Sequence, residues 1–214
     1  MGRIAATVLV VLAFALIFGN SATHASPTSC STVNIGGDTT LVNGFGEMVG
    51  GEALGEVFVA SDTLIHSITV WRWAGQDTSF IGVKIYLTET DASGRPLVNS
   101  ILLNGPVMII PYGDGIHATP FEFVFDPPLA LPHSGRFCLA IQAAPCDATL
   151  RIDASSQQPY GDGAAWVFGR SGCTLRPFPQ EFPSLDIMFK VEFCDSSTPV
   201  RERTWGAVKN AYRR

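Results

Sequence analysis

Apolar and polar residues alternate along most of this chain from residue 56 to residue 194, and that alternation predicts its architecture. Phe121, Phe123 and Phe125 share one face at period two. Phe137, Leu139 and Ile141 repeat the pattern after a connection, Asp126-Pro127-Pro128 to Pro132, whose prolines exclude a helix. In the run 80–89, Val83, Ile85 and Leu87 oppose Lys84, Tyr86 and Thr88. In 184–194, Leu185, Ile187, Phe189, Val191 and Phe193 oppose Asp186, Met188, Lys190 and Glu192. Further strands are expected at 56–60, 64–73, 97–103, 107–110, 117–125, 135–143, 149–153 and 164–168, joined by Gly-, Pro-, Asp- and Ser-rich connections. Short half-polar strands with no amphipathic helix between them predict an all-β fold, a two-sheet antiparallel β-sandwich of jelly-roll-like form. The Gly-rich stretch 31–55 is weakly patterned and is expected to wrap the sandwich as a long edge strand or loop.

The first residues bear on the compartment. Arg3 precedes an apolar run over 4–18, the length of a secretory h-region and shorter than the roughly twenty residues of a spanning helix. Polar Asn20, Ser21, Thr23 and His24 follow, and cleavage is expected after Ala25, with Ala22 as the alternative. The organisation read from this is a signal peptide at 1–25, a β-sandwich at 26–195, and a linker with a basic tail at 196–214. The product is expected to be secreted, periplasmic or held at the cell surface. Cys30 lies too far beyond the apolar run for a lipoprotein box.

Charge divides the chain. Residues 26–195 carry 18 acidic and 8 basic side chains, net −10, whereas 196–214 carry Arg201, Arg203, Lys209, Arg213 and Arg214 against Glu202. An acidic body repels phosphate backbones, so nucleic acid is excluded as a partner. The acidic excess reads as a solubility feature, with recognition of a basic ligand as the alternative.

All five cysteines lie beyond the signal, where disulfides can form. Cys146 and Cys173 flank the Gly-rich segment around Tyr160 and are expected to close it. Cys30 and Cys194, at the two ends of the domain, form the second expected pair and leave Cys138 free. A cross-strand Cys138–Cys194 pair, with Cys30 left over, is the rival scheme.

Chemical signatures are few. There is no His-x-His, no His-Glu-x-x-His, no Gly-x-Ser-x-Gly and no phosphate loop, and His66, His117 and His133 sit near strand ends or turns. Asp114, Glu122, Asp126, Asp153, Asp162 and Asp186 supply carboxylates for a glycosidase pair, without a spacing that selects one. Tyr-Gly-Asp-Gly occurs at 112–115 and 160–163, where a turn Asp is expected to cap backbone amides. Such an Asp can also ligate Ca²⁺, which makes Asp114 and Asp162 calcium candidates, although no EF-hand spacing supports them. No other cofactor or metal is expected.

Aromatic residues are the better lead, because sugar C–H faces stack on Trp and Tyr. Trp71 and Trp73 share a face with Ser67 and Thr69, opposite Ile68, Val70 and Arg72. If the Ile68 and Val70 face is the core, both indoles form an outward platform; if not, they belong to the core. Tyr160 and Trp166, in the segment bracketed by Cys146 and Cys173, make a second candidate patch, and Tyr86, on the polar face of its strand, a third.

Gly55-Glu-Val-Phe-Val-Ala60, Ile68-Thr-Val-Trp71, Val83-Lys-Ile-Tyr-Leu-Thr88, Phe123-Val-Phe-Asp-Pro-Pro-Leu-Ala-Leu131 and Leu185-Asp-Ile-Met-Phe-Lys-Val191 together resemble secreted bacterial jelly-roll modules of the galactose-binding or carbohydrate-binding type, over nearly all of residues 50–194. The resemblance implies non-catalytic glycan binding or a structural part of a surface protein. Such modules usually ride on a catalytic domain, and no such domain is expected within these residues. Thr198-Pro199, Thr204-Trp205-Gly206, Lys209 and Tyr212-Arg213 are similar to a short tail of exported bacterial proteins, which implies a sorting or anchoring signal. The spacing of Trp205, Val208 and Tyr212 predicts a short basic amphipathic helix there, docking to a surface or partner.

The expectation is a non-catalytic module binding carbohydrate or another surface polymer. A structural or adhesion module of the envelope and a glycan-active hydrolase or lyase are the alternatives.

Overall fold

A computed structural model describes residues 32–37, 39–75, 80–111, 113–169 and 173–194. The strands are β1 (Thr32–Gly36), β2 (Gly44–Met48), β3 (Ala53–Ala60), β4 (Leu64–Arg72), β5 (Ile81–Thr90), β6 (Pro96–Ile110), β7 (Thr119–Ala130), β8 (Gly135–Ala144), β9 (Leu150–Ser155), β10 (Ala165–Phe168), β11 (Gln180–Phe182), β12 (Asp186–Ile187) and β13 (Phe189–Cys194). One sheet has seven strands, in the order β1-β13-β4-β9-β12 with β2 added on β9 and β7 on β4. The other has six, β11-β10-β3-β8-β5-β6. All pairings are antiparallel, so the two-sheet all-β sandwich expected from the alternation is present. The signal peptide, Cys30 and the tail 196–214 with its expected helix lie outside the described residues.

The period-two pattern explains the layers. Leu54 and Phe58 of β3, Val83, Ile85 and Leu87 of β5, and Phe137, Leu139 and Ile141 of β8 project from the six-stranded sheet. They meet Ile68 and Val70 of β4, Phe121 and Phe123 of β7, Ile152 of β9, and Phe189, Val191 and Phe193 of β13, all of them buried. Phe58 touches Phe189 across the layers at 6.2 Å between ring centroids. Burial of each such side chain contributes about 1.5–3 kcal/mol.

Irregularities fall where the sequence breaks its own pattern. Ile65 and Ile68 both face the core although three apart, because the register shifts between Ile65 and Ser67. Opposite that shift, β7 goes from Val124, paired with Ser67, to Leu129, paired with Ile65, so Phe125-Asp126-Pro127-Pro128 bulge out of the ladder. The prolines therefore sit within a strand rather than between strands. An edge position makes this tolerable, since β7 pairs only with β4. The two strands expected at 97–103 and 107–110 are one, β6, and the stretch 31–55 supplies three, β1, β2 and the start of β3.

The outer face of the six-stranded sheet departs from the expected half-polar strands. Alternation with Phe137, Leu139 and Ile141 places Cys138 and Gln142 on that outer face, as alternation with Phe121 and Phe123 places Glu122 on the outer face of the other sheet, and only Glu122 is exposed. Cys138 and Gln142 are buried, because Trp166 and Phe168 of β10 and Leu175 of the following loop cover the outer face of β3, β8 and β5. Cys146 and Cys173 are disulfide-bonded, with Cα atoms 5.1 Å apart, and hold that loop against the sheet. Buried Cys138 is a free thiol, which rules out the Cys138–Cys194 pairing; Cys194 is itself disulfide-bonded.

Candidate functional site

Ile68 and Val70 are fully buried in the core, so the opposite face of β4, with Trp71 and Trp73, points away from it. Each indole is half-buried. Ser67 and Thr69 on the same face are buried, because β13 and β7 flank β4 there; the Ser67 hydroxyl donates to Glu192. Trp73, just past the end of β4, leaves that shelter and meets β2 and β9.

Three elements converge at Trp73. Its backbone N–H donates to the Arg151 carbonyl at 3.0 Å, which extends the β4–β9 contact begun by Arg72 and Ile152. Its ring lies 5.4 Å from that of Phe45 on β2, inclined by 42°. The β2–β9 register sets Glu47 opposite Arg151 and Phe45 opposite Asp153. The Arg151 guanidinium stands 4.8 Å from the Phe45 centroid, and its Nε donates to Glu47 at 2.7 Å. Phe45 is 40% exposed, well beyond a core aromatic. Asp153, on the same face, is buried, and burial pushes its carboxyl up to about 6. The result is a partly exposed aromatic pair bordered by an ion pair, with a carboxyl at its base. Such a surface offers apolar contact and hydrogen bonds to a polyhydroxylated ligand.

The other aromatic candidates lie elsewhere. Tyr86, expected on an outward face, is buried beneath the outer cover, with its hydroxyl within donating distance of two acceptors, Gln142 Oε1 at 3.1 Å and the Cys173 carbonyl at 3.2 Å, for its one proton. Trp166 is likewise covered, packed with Phe168 and Leu175. Neither presents a ring to solvent. Half-buried Tyr160 closes an end of the sandwich: its hydroxyl accepts from the Val59 N–H at 2.9 Å and its ring meets Phe189 edge-on. Phe45 was missed by sequence reasoning, because it falls in the Gly-rich stretch.

Carboxylates were also surveyed as catalytic or metal groups. Asp114 accepts from the Ile116 and His117 N–H groups and from the His117 ring, a turn cap of the kind expected. These bonds, led by that from the His117 side chain, hold its carboxyl below the usual range. Asp162 is exposed. No group of three or more metal-ligating side chains occurs among the described residues. The closest acid pairing involves Glu56, absent from the sequence candidates. Glu56 Oε2 accepts from the Ile187 N–H at 3.0 Å, and neighbouring Asp186 accepts from the Tyr160 N–H at 3.0 Å. Both carboxyls are buried and raised, chiefly by burial, with the charge of Asp186 adding to the effect on Glu56.

No family model matches the chain, and no curated protein matches it. Among solved structures, it is similar to that of the cysteine protease and lectin-like domains of Cwp84, a surface layer associated protein of Clostridium difficile. The likeness has 10% sequence identity and a TM-score of 0.41, and covers 70% of this chain and 36% of that one.

Proposed function

We propose that this protein is a non-catalytic exported β-sandwich module that binds carbohydrate, or another surface polymer, on the outer face of its seven-stranded sheet. The observation that carries the reading is the pairing of Phe45 with Trp73, both partly open to solvent, beside Arg151 and Glu47. A partly exposed aromatic pair at a sheet surface gives up apolar burial unless something covers it. A sugar ring does so with its C–H face, while the guanidinium and carboxylate at the border bond its hydroxyls. The carboxyls of Glu56 and Asp186 are buried, which keeps both from a ligand on this surface. The Cys146–Cys173 disulfide suits an oxidising compartment and so supports export.

A glycan array tests this with the parent protein and the Phe45→Ala, Trp71→Ala and Trp73→Ala variants. Binding to at least one glycan class is expected, weakened about tenfold or more by either Phe45→Ala or Trp73→Ala, the scale of a lost stacking contact. Trp71→Ala should have the smaller effect. Binding insensitive to Phe45 and Trp73, or no glycan bound, would favour a structural envelope module. Release of sugar products from the bound polysaccharides would contradict the non-catalytic assignment.

A further inference from the structure

We propose that the Phe45–Trp73 surface selects sugars carrying a protonated amine, with Asp153 as the counter-charge. This rests on the carbohydrate-binding reading and gives it a ligand class. Asp153 leaves β9 on the same face as Arg151 and stands opposite Phe45 in the β2–β9 register. Its side chain is 4% exposed, and its Oδ1 has no hydrogen-bond partner among the described residues. Folding a carboxylate oxygen away from water without a donor is costly, and native structures leave few such atoms. What Asp153 lacks is a donor.

Charge decides which donor fits. Arg151, the cation of this surface, is engaged by Glu47 at 2.7 Å, so their charges offset each other and Asp153 leaves the patch negative. A uronate or sulfated sugar meets repulsion there. A neutral hydroxyl supplies a bond without compensating the charge, whereas an ammonium supplies both, in the charge-assisted bond that is roughly twice as strong. The faces of Phe45 and Trp73 attract a cation as well. At longer range, the net −10 of residues 26–195 draws a cationic polymer toward the surface. Asp153 is the cross-strand neighbour of the half-open Phe45 ring, so an amine on a sugar stacked against that ring comes to the edge of the carboxyl.

Calorimetric titration at neutral pH and low salt, with short glucosamine oligosaccharides and their N-acetylated counterparts, tests the proposal. The amine form should bind at least about tenfold more tightly, and added salt should narrow the difference. Asp153→Asn should abolish the preference, bringing the affinities of the amine and N-acetylated forms to within about twofold of each other, whatever their common level. Equal affinity of the parent protein for both forms overturns the amine preference and leaves carbohydrate binding standing, without recourse to any variant. A preference that persists in a folded Asp153→Asn protein removes Asp153 from the role. Failure of both sugars to bind, together with an empty glycan array, overturns both readings.

Discussion

Glu56 Oε1, Thr88 Oγ1, Asp153 Oδ1 and Trp166 Nε1 are buried with no hydrogen-bond partner among the described residues, and of these Glu56 couples the two sheets. It leaves β3 toward the core, and its other oxygen accepts from the Ile187 N–H of the opposing sheet. Burial, the charge of Asp186 and the incomplete bonding together favour the protonated acid. Because the carboxyl holds its proton more tightly folded than unfolded, its contribution to stability is complete below the ordinary carboxylate range and is lost as pH rises through the elevated folded value. Asp186 and Asp153 are raised by burial and act in the same direction. Asp91, Asp114 and Glu192 are lowered by hydrogen bonds and act oppositely, but they lie on the surface, where solvent screens them. Glu56→Gln keeps an acceptor for Ile187 and removes the charge. It should raise the melting temperature at about pH 8 and change it little at about pH 4. A variant no more stable than the parent at the higher pH would show that Glu56 is not strained by ionisation.

At the scale of elements, the sequence is legible where burial is one-sided and obscure where it is not. β5 and β8 keep one strongly apolar face, and the expected strands match them within a residue, while the single strand expected at 184–194 is divided at Met188 into β12 and β13. β2 reads Gly-Phe-Gly-Glu-Met, and its aromatic points outward while Gly46 and Met48 face in, so the usual rule places Phe45 on the wrong side. Half of the candidate site was hidden for that reason, whereas Trp73 could be placed from the burial of Ile68 and Val70. Outward-facing polar positions misled in the other direction at Tyr86, Cys138 and Gln142, because a loop without strand periodicity covers them. Gly55 records the cost of that cover. A methyl group there would come within 2.7 Å of the Leu139 carbonyl, 2.8 Å of the Cys138 sulfur and 2.9 Å of Phe168. Gly55→Ala should therefore destabilise the fold by about 1–3 kcal/mol, the usual penalty for overpacking, as read from urea unfolding. An unchanged midpoint would mean that the cover over β3 packs more loosely than these distances require.

For the whole molecule, the cover on the outer face of the six-stranded sheet raises the question of how it is held. The inner interface is broad and fed by nearly every long strand, while the outer cluster rests on a few residues of β10 and its following loop, Trp166, Phe168 and Leu175. The Cys146–Cys173 link anchors this loop to the chain after β8 across a separation of 27 residues. On the chain-entropy account a closure of that size stabilises by about 3.5 kcal/mol. The loss need not be shared evenly, because sparsely packed layers open independently of well-packed ones. Cys138 is a built-in reporter: a free thiol, fully buried beneath the outer cover and made less reactive by that burial. In the Cys146→Ser/Cys173→Ser protein, labelling of Cys138 by a thiol reagent under native conditions should accelerate by far more than global unfolding does, measured in parallel by hydrogen exchange at β5 and β13. Platform binding should persist, since Phe45, Trp73 and Arg151 belong to the other sheet. If labelling and core exchange instead accelerate together, the outer layer is part of one cooperative unit, and the disulfide stabilises the entire sandwich rather than the cover alone.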